Sequence, residues 1–206
     1  MRIVSAQELE NWLASGEILE KDARGPKVVA LPNGEFLKIF YTRRHPLLAR
    51  LQPAAKRFAR NAHLLNRLGI ATPTITETFW LEPQTGLSGC RYKPLAGNSL
   101  ENLYAAAPDA FNTLLPSLAT FIKSLHRKRI YFRSLHLGNI LLLPDNRFGL
   151  IDFLDMKRHT LPLSTWHTKR NLRHLEGYLR RKKLTHFPFA RLLELYETAN
   201  SGKRVE

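Results

Sequence analysis

The sequence reads as an α+β chain, with antiparallel strand pairs gathered in the first half and helices in the second. Three observations carry that reading. Residues 27–31 and 35–41, then 74–81 and 87–92, form two apolar strand pairs, each broken by a turn signal (Pro32-Asn33-Gly34 and Glu82-Pro83-Gln84-Thr85-Gly86). Helical spacing of apolar residues dominates after residue 110. Between these regions a polar loop ending at Asn139 runs into a short hairpin, Ile140–Leu143 and Phe148–Ile151, turned by Pro144-Asp145-Asn146 and finishing on Asp152-Phe153.

The chain's bulk properties narrow the class. At 206 residues it can bury one sizeable core. The first residues show no basic-then-apolar leader, and no apolar run approaches the ~20 residues of a spanning helix. The single cysteine, Cys90, excludes internal disulfides and suits a reducing cytoplasm, where it serves as a small strand hydrophobe. The formal net charge of +15 draws the protein toward polyanions: nucleic acid, anionic lipid or phosphorylated glycolipid. That charge is uneven. Eight Lys/Arg and no acid fall between Phe36 and Thr76, and ten Lys/Arg stand against the lone Glu176 between Met156 and Leu193.

In order, residues 6–15 form a short amphipathic helix capped by Ser5, with Leu9, Trp12 and Leu13 on one side. Ile18–Asp22 leads to a loop at Gly25-Pro26 and the first strand pair. Thr42-Arg43-Arg44-His45-Pro46 opens a helix over 47–68 whose apolar residues include Leu51, Ala55, Phe58, Ala62 and Leu65, with Gly69 as its C-cap. The second strand pair ends in Tyr92-Lys93-Pro94-Leu95, and Ser99 caps the next helix. A helix over 110–127 carries a broad apolar stripe and closes on cations, as the helix dipole favours. Two helices over 166–182 and 187–199 finish the chain, bearing Leu172, Leu175, Tyr178 and Leu179, then Leu192, Leu193 and Tyr196.

The hairpin carries the chemistry. It holds the Asn139 amide and the Asp152 carboxylate at one end of two rigid strands, and both are the hard oxygen ligands that Mg²⁺ accepts while holding nucleotide phosphates. This loop and hairpin resemble the catalytic-loop and metal-loop pair of the protein-kinase-like fold: Asn139 fits the metal-binding Asn and Asp152-Phe153 the metal-binding Asp-Phe. The run Leu135-His136-Leu137-Gly138-Asn139-Ile140-Leu141 is closer to the Leu-His-x-x-Asn pattern of small-molecule and lipopolysaccharide-core (Kdo/heptose) kinases. Leu68-Gly69-Ile70-Ala71-Thr72-Pro73 and the Trp166 to Arg181 pattern point the same way.

The resemblance implies a compact bilobal fold, with a small antiparallel β N-lobe over 1–95 and a mainly helical C-lobe over 96–206. It implies ATP and Mg²⁺ as cofactors. It places Lys38 against the α and β phosphates, Gly25 in a thin phosphate loop, and the Tyr92 to Leu95 backbone against adenine. It further implies phosphoryl transfer to a lipopolysaccharide-core sugar by a cytoplasmic protein peripheral on the inner membrane, whose anionic surface suits the basic charge.

Three departures mark this sequence. Ser134 occupies the position of the catalytic Asp, and a serine does not accept a proton as a carboxylate does. Phe132 replaces the preceding His. The helix after Lys38 has no Glu to pair with it, which leaves Asn61 and His63 as candidate contacts. Asp155 is the candidate stand-in for the missing base; the alternative is an exposed acid beside Lys157 and Arg158. Two further readings stay open: a catalytically impaired pseudokinase scaffold or regulator, and a kinase-like RNA-associated protein. The last ranks below the others because nucleic-acid recognition wants exposed aromatics beside basic residues, and none stands out in the sequence.

Overall fold

In the computed structural model, which describes residues 1–41 and 45–199, the chain divides into two compact units, one ending at Leu95 and the other beginning at Ala96. The first unit opens with β1 (Arg2–Ile3), α1 (Ala6–Ser15), β2 (Glu17–Asp22), β3 (Gly25–Ala30) and β4 (Phe36–Phe40). It continues through α2 (Pro46–Leu51), α3 (Ala54–Arg67), β5 (Thr74–Glu82) and β6 (Leu87–Lys93). The strands make one sheet in the order β1-β5-β6-β4-β3-β2, antiparallel except for the short β1–β5 pair.

Strand alternation splits the sheet's side chains between two helices. Leu37 and Ile39 face α1 in a cluster with Val4, Val29, Leu31 and Phe79, and Trp12 packs on Phe79 at a ring distance of 5.3 Å. On the other face Phe40 and Tyr92 meet Phe58 of α3 at 5.4 and 6.3 Å. The helix α1 starts where expected, because the Ser5 hydroxyl accepts from the Glu8 amide.

The expected helix over 47–68 is two helices. Pro53 has no N–H to continue the ladder, so α2 ends at Leu51 and α3 restarts at Ala54. Leu51, assigned to the apolar stripe, is consequently 79% exposed. The far end matches: Gly69 takes φ 72°, and the Ile70 amide donates to the Leu65 carbonyl. Thr42, Arg43 and Arg44, read as the lead-in to this helix, lie outside the described residues. The strand β2 is a difference from the sequence pattern, which shows only a lead into the Gly25-Pro26 loop there. Five of its six residues are exposed, so it offers no alternating pattern, and backbone pairing to β3 alone makes it a strand.

The second unit begins with β7 (Asn98–Ser99), α4 (Leu100–Ala106), α5 (Pro108–Phe111) and α6 (Leu115–Arg127). Two short strands, β8 (Ile130–Tyr131) and β9 (Ile140–Leu142), bracket the polar loop; β10 (Phe148–Leu150), β11 (Lys157–Arg158), α7 (Thr165–Arg181) and α8 (Phe189–Thr198) follow. The helix expected from residue 110 starts at Leu115, after a 3-10 turn, because Pro116 belongs in a first turn, where a missing N–H costs nothing. The core is built from fully buried Leu118, Ile122, Leu125, Leu175 and Leu192, beside a Tyr104–Phe111–Phe187 ring cluster. The chain is thus α+β, with an antiparallel-rich sheet in the first unit and helices dominating the second.

Candidate phosphotransfer site

The register of β9 and β10 sets the site. Leu150 lies opposite Ile140, and one step further the Ile151 amide donates to the Asn139 carbonyl at 3.0 Å. Asn139 and Asp152 therefore leave the same end of one hairpin. Asp152 takes φ 50°, a left-handed conformation that Asp tolerates better than most residues and that clusters at functional loops. The Asn139 side-chain nitrogen donates to the Ser134 carbonyl at 3.0 Å and to His136 Nε2 at 3.2 Å. With the amide nitrogen so engaged, the amide oxygen is the end presented to a cation. Among the described residues no three His, Cys, Asp or Glu side chains converge as a metal cage. Two hard oxygen ligands fit Mg²⁺ of the kind completed by phosphates and water.

Asp155 lies against Ser134. The Ser134 hydroxyl donates to Asp155 Oδ2 at 2.8 Å, and Arg133 Nε lies 3.4 Å from the same oxygen. The other carboxylate oxygen is shielded from solvent and meets no hydrogen-bond partner among the described residues. An orphaned buried oxygen of this kind is rare. The alternative of a solvated acid beside Lys157 and Arg158 does not fit: those two residues are exposed, and the Asp155 side chain is only 23% exposed. The pairing of Lys157 with Tyr131 and Arg158 with Ile130 ties both ends of the segment together, which returns Asp155 to Ser134.

Two buried networks that the sequence reading missed hold this loop. In the first, the Tyr196 hydroxyl meets His126 Nδ1 at 2.7 Å, and His126 Nε2 meets the Asn171 side-chain oxygen at 3.1 Å. The Asn171 nitrogen then donates to the Phe132 carbonyl at 2.6 Å. Phe132, fully buried in place of the expected His, thus serves as a backbone anchor. Burial holds the His126 pKa below the ordinary histidine value, which its hydrogen bond to Asn171 only partly offsets.

In the second network His136 stacks flat on Tyr178, with ring centroids 4.0 Å apart. The Tyr178 hydroxyl donates to Glu101, which Lys182 also contacts at 2.9 Å. Desolvation lowers the His136 pKa, against the pull of Glu101 and Asp152, and a neutral ring is what lets Nε2 accept from Asn139. Desolvation also opposes the charge on Glu101, but Tyr178 and Lys182 outweigh it and keep that carboxyl below its usual range. The i, i+4 spacing of Asn171, Leu175 and Leu179 signalled one buried face of α7, but a polar residue within it was the only available hint.

The remaining candidates lie in the first unit. Lys38, half-buried in β4, carries its ammonium 5.6 Å from the Phe58 ring centroid on the α3 side of the sheet. His63 is exposed and Asn61 buried on α3. Gly25 takes φ 123° at the β2–β3 turn, where a side chain would meet the Tyr41 hydroxyl at 2.8 Å. The Arg24 side chain spans that turn, bonded to Asp22 and to the Tyr41 carbonyl. Tyr92 is buried in β6, opposite Phe36 and Ile75, so its ring belongs to the core, and half-buried Leu95 follows the strand. Ser134, Asn139, Asp152 and Asp155 are brought together within the second unit. One expectation is overturned: an aromatic does stand exposed beside a base, since Trp166 is 54% exposed and Arg170 lies 4.9 Å over its ring.

Residues 96–196 match the lipopolysaccharide kinase (Kdo/WaaP) family, the group whose motifs the loop and hairpin resemble. No curated protein matches the chain. Among solved structures, the PK-1 kinase of Cydia pomonella granulovirus superposes with a TM-score of 0.44 at 15% identity, over 77% of this chain and 58% of its own length. The chain therefore spans less than two thirds of that kinase.

Proposed function

With a kinase-like second unit that matches the lipopolysaccharide kinase (Kdo/WaaP) family over residues 96–196 as the premise, we propose that the protein transfers the γ-phosphoryl group of ATP to a sugar hydroxyl of a lipopolysaccharide-core acceptor. The observation that carries this reading is the Asp155 carboxylate hydrogen-bonded by Ser134 beside the Asn139–Asp152 pair. In this reading Asp155, from further along the chain, supplies the carboxylate beside Ser134, the position that the resembled pattern gives to the catalytic Asp. Asn139 and Asp152 would hold Mg²⁺, which when bound neutralises charge on the phosphoryl group in transfer. Ser134 fixes Asp155 through Oδ2, and the Asp155 carboxylate takes the proton of the attacking hydroxyl. The new oxygen–phosphorus bond forms as the bridging bond to the β phosphate breaks, and ADP leaves. Lys38 holds phosphate in this scheme, Gly25 closes the turn over it, and the Tyr92 to Leu95 backbone meets adenine.

The acceptor lies at the cytoplasmic face of the inner membrane in this reading, and the net charge of +15 suits that anionic surface. Among the described residues no helix is long and apolar enough to cross a membrane, which accords with peripheral attachment. Calorimetry with ATP, with and without Mg²⁺, tests the nucleotide site: Mg²⁺-dependent binding is expected in the wild type and lost in Asp152→Ala. Asp155→Asn retains that binding and lowers turnover on core oligosaccharide by roughly 10²–10⁴-fold, the ordinary worth of a general base. Unchanged turnover in Asp155→Asn removes Asp155 from the mechanism. A second reading, a pseudokinase scaffold, is favoured by one observation: no acid lies between Glu35 and Glu77 to form the helix-to-lysine ion pair. Absence of nucleotide binding under every condition selects that reading.

A further inference from the structure

Along α7, Trp166, Arg170, His174 and Tyr178 follow one another at four-residue spacing, which makes them a single ridge of the helix. The ridge begins exposed, at Trp166 with Arg170 stacked over it, and ends where Tyr178 lies flat on His136 beside Asn139. Its middle passes the candidate base. His174 feels the charges of Arg170, Arg133 and Asp155, and its Nε2 is shielded from solvent without a hydrogen-bond partner among the described residues. Burial, followed by those neighbouring cations, keeps this imidazole neutral, so it retains a donor that does not add to the local charge.

We infer that this ridge, resting on the phosphotransferase reading, is the acceptor subsite: Trp166 supplies a flat face for a sugar ring, while Arg170, Arg133 and His174 hold an anionic substituent, phosphate or carboxylate, carried by the acceptor glycan. Each part has a physical reason. A half-exposed Trp with a guanidinium stacked on it is a preordered apolar platform with a charged edge, which is what a sugar ring bearing an anion requires. Guanidinium groups bind phosphate and carboxylate through paired donors, and both arginines here are exposed. Glu176 is the only acid between Met156 and Leu193, so the field along this stretch is almost purely positive. From Trp166 to His174 the rise is about 12 Å, the span of one or two sugar residues, whereas RNA recognised by stacking would need a run of such platforms. The substituent approaches near Asp155, which places a neighbouring hydroxyl within reach of the base.

The test uses the whole protein without nucleotide, so its result is read independently of ATP binding. Glucose 6-phosphate, glucose, inorganic phosphate and a single-stranded oligouridine are titrated separately, with calorimetry and tryptophan emission as readouts. Glucose 6-phosphate is expected to bind more tightly than inorganic phosphate, and glucose not measurably. Arg170→Glu and Arg133→Glu should each weaken the sugar phosphate roughly tenfold or more, with Arg170→Lys recovering part of the loss. Trp166→Ala should abolish the emission change and erase the preference over inorganic phosphate. Thermal melting checks the folding of each variant. Sugar phosphate affinity indifferent to both charge reversals overturns the inference. Equal affinity for phosphate and sugar phosphate in the wild type, or oligouridine bound more tightly than sugar phosphate and lost in Arg170→Glu, does so as well.

Discussion

Asn171 shows how much one side chain can decide. It is completely buried, accepts from His126 and donates to the carbonyl of Phe132, two residues before Ser134, whose own carbonyl accepts from Asn139. Replacing it with Ala leaves a buried carbonyl and an imidazole unsatisfied, so we expect Asn171→Ala to lose about 1–3 kcal/mol in urea unfolding. The Ser134–Asp155 pair makes a sharper prediction. On the proposed reading, Ser134→Asp does not make a better enzyme, because it sets a second carboxylate where a hydroxyl now donates to Asp155. Two carboxylates at hydrogen-bonding distance repel or share a proton, at a cost of about 1–2 kcal/mol at neutral pH. Turnover should fall in Ser134→Asp and recover in the double exchange Ser134→Asp with Asp155→Ser, as measured on one acceptor preparation. A double exchange no better than the single variant removes the idea that the two positions share one task.

At the scale of elements, the sequence announced whatever carried a local signal. The helix α1 had its Ser5 cap, α3 its Gly69 stop, and the β9–β10 hairpin its turn and apolar alternation, so the Asn139–Asp152 pair was legible before any coordinates. Pro53 was also visible, but a continuous apolar stripe outweighed it, and the backbone obeyed the proline. The edge strand β2 was hidden because it buries almost nothing, and α7's buried Asn171 and His174's neighbours were hidden because they depend on contacts distant in sequence. The small strand β7 belongs with these. Gly97, at φ 150°, precedes it so closely against β9 that an added Cβ would stand 2.6 Å from the Leu142 carbonyl oxygen. Gly97→Ala should therefore cost more than Gly34→Ala, read as a larger fall in melting temperature, because Gly34, at φ 80° with open space around it, would suffer the left-handed backbone strain but no clash.

Across the whole molecule, charge and proton uptake set the working conditions. Burial is the first cause holding His126, His136, His159 and His174 below the ordinary histidine pKa in the folded chain. In the unfolded chain they titrate near ~6.5, so below that pH the unfolded state binds protons that the folded state refuses. Stability is therefore full above about pH 6.5 and declines as pH falls toward the depressed folded values. Melting temperatures measured from pH 8 to pH 5 should follow that course, and His126→Gln should flatten it. The net charge of +15 adds self-repulsion that salt screens, so raising ionic strength from about 0.01 to 0.15 M should raise the melting temperature at pH 7.5. The first unit is partly insulated from this by its own pairs: Arg2 bridges Glu8 and Glu77, and Arg91 bridges Glu77 and Glu35.

The division of labour around α7 has a consequence for how such a protein diversifies. Asn171, Leu175 and Leu179 lock one side of the helix into the fold, while Trp166 and Arg170, turned away from them, are exposed. Substitutions at the outward positions can accumulate with little loss of stability, so on the proposed reading a lineage can drift toward a new acceptor without touching the Ser134–Asp155 and Asn139–Asp152 pairs. On the proposed reading, a library randomised at positions 166 and 170 alone should consequently keep most members folded and spread them across acceptors.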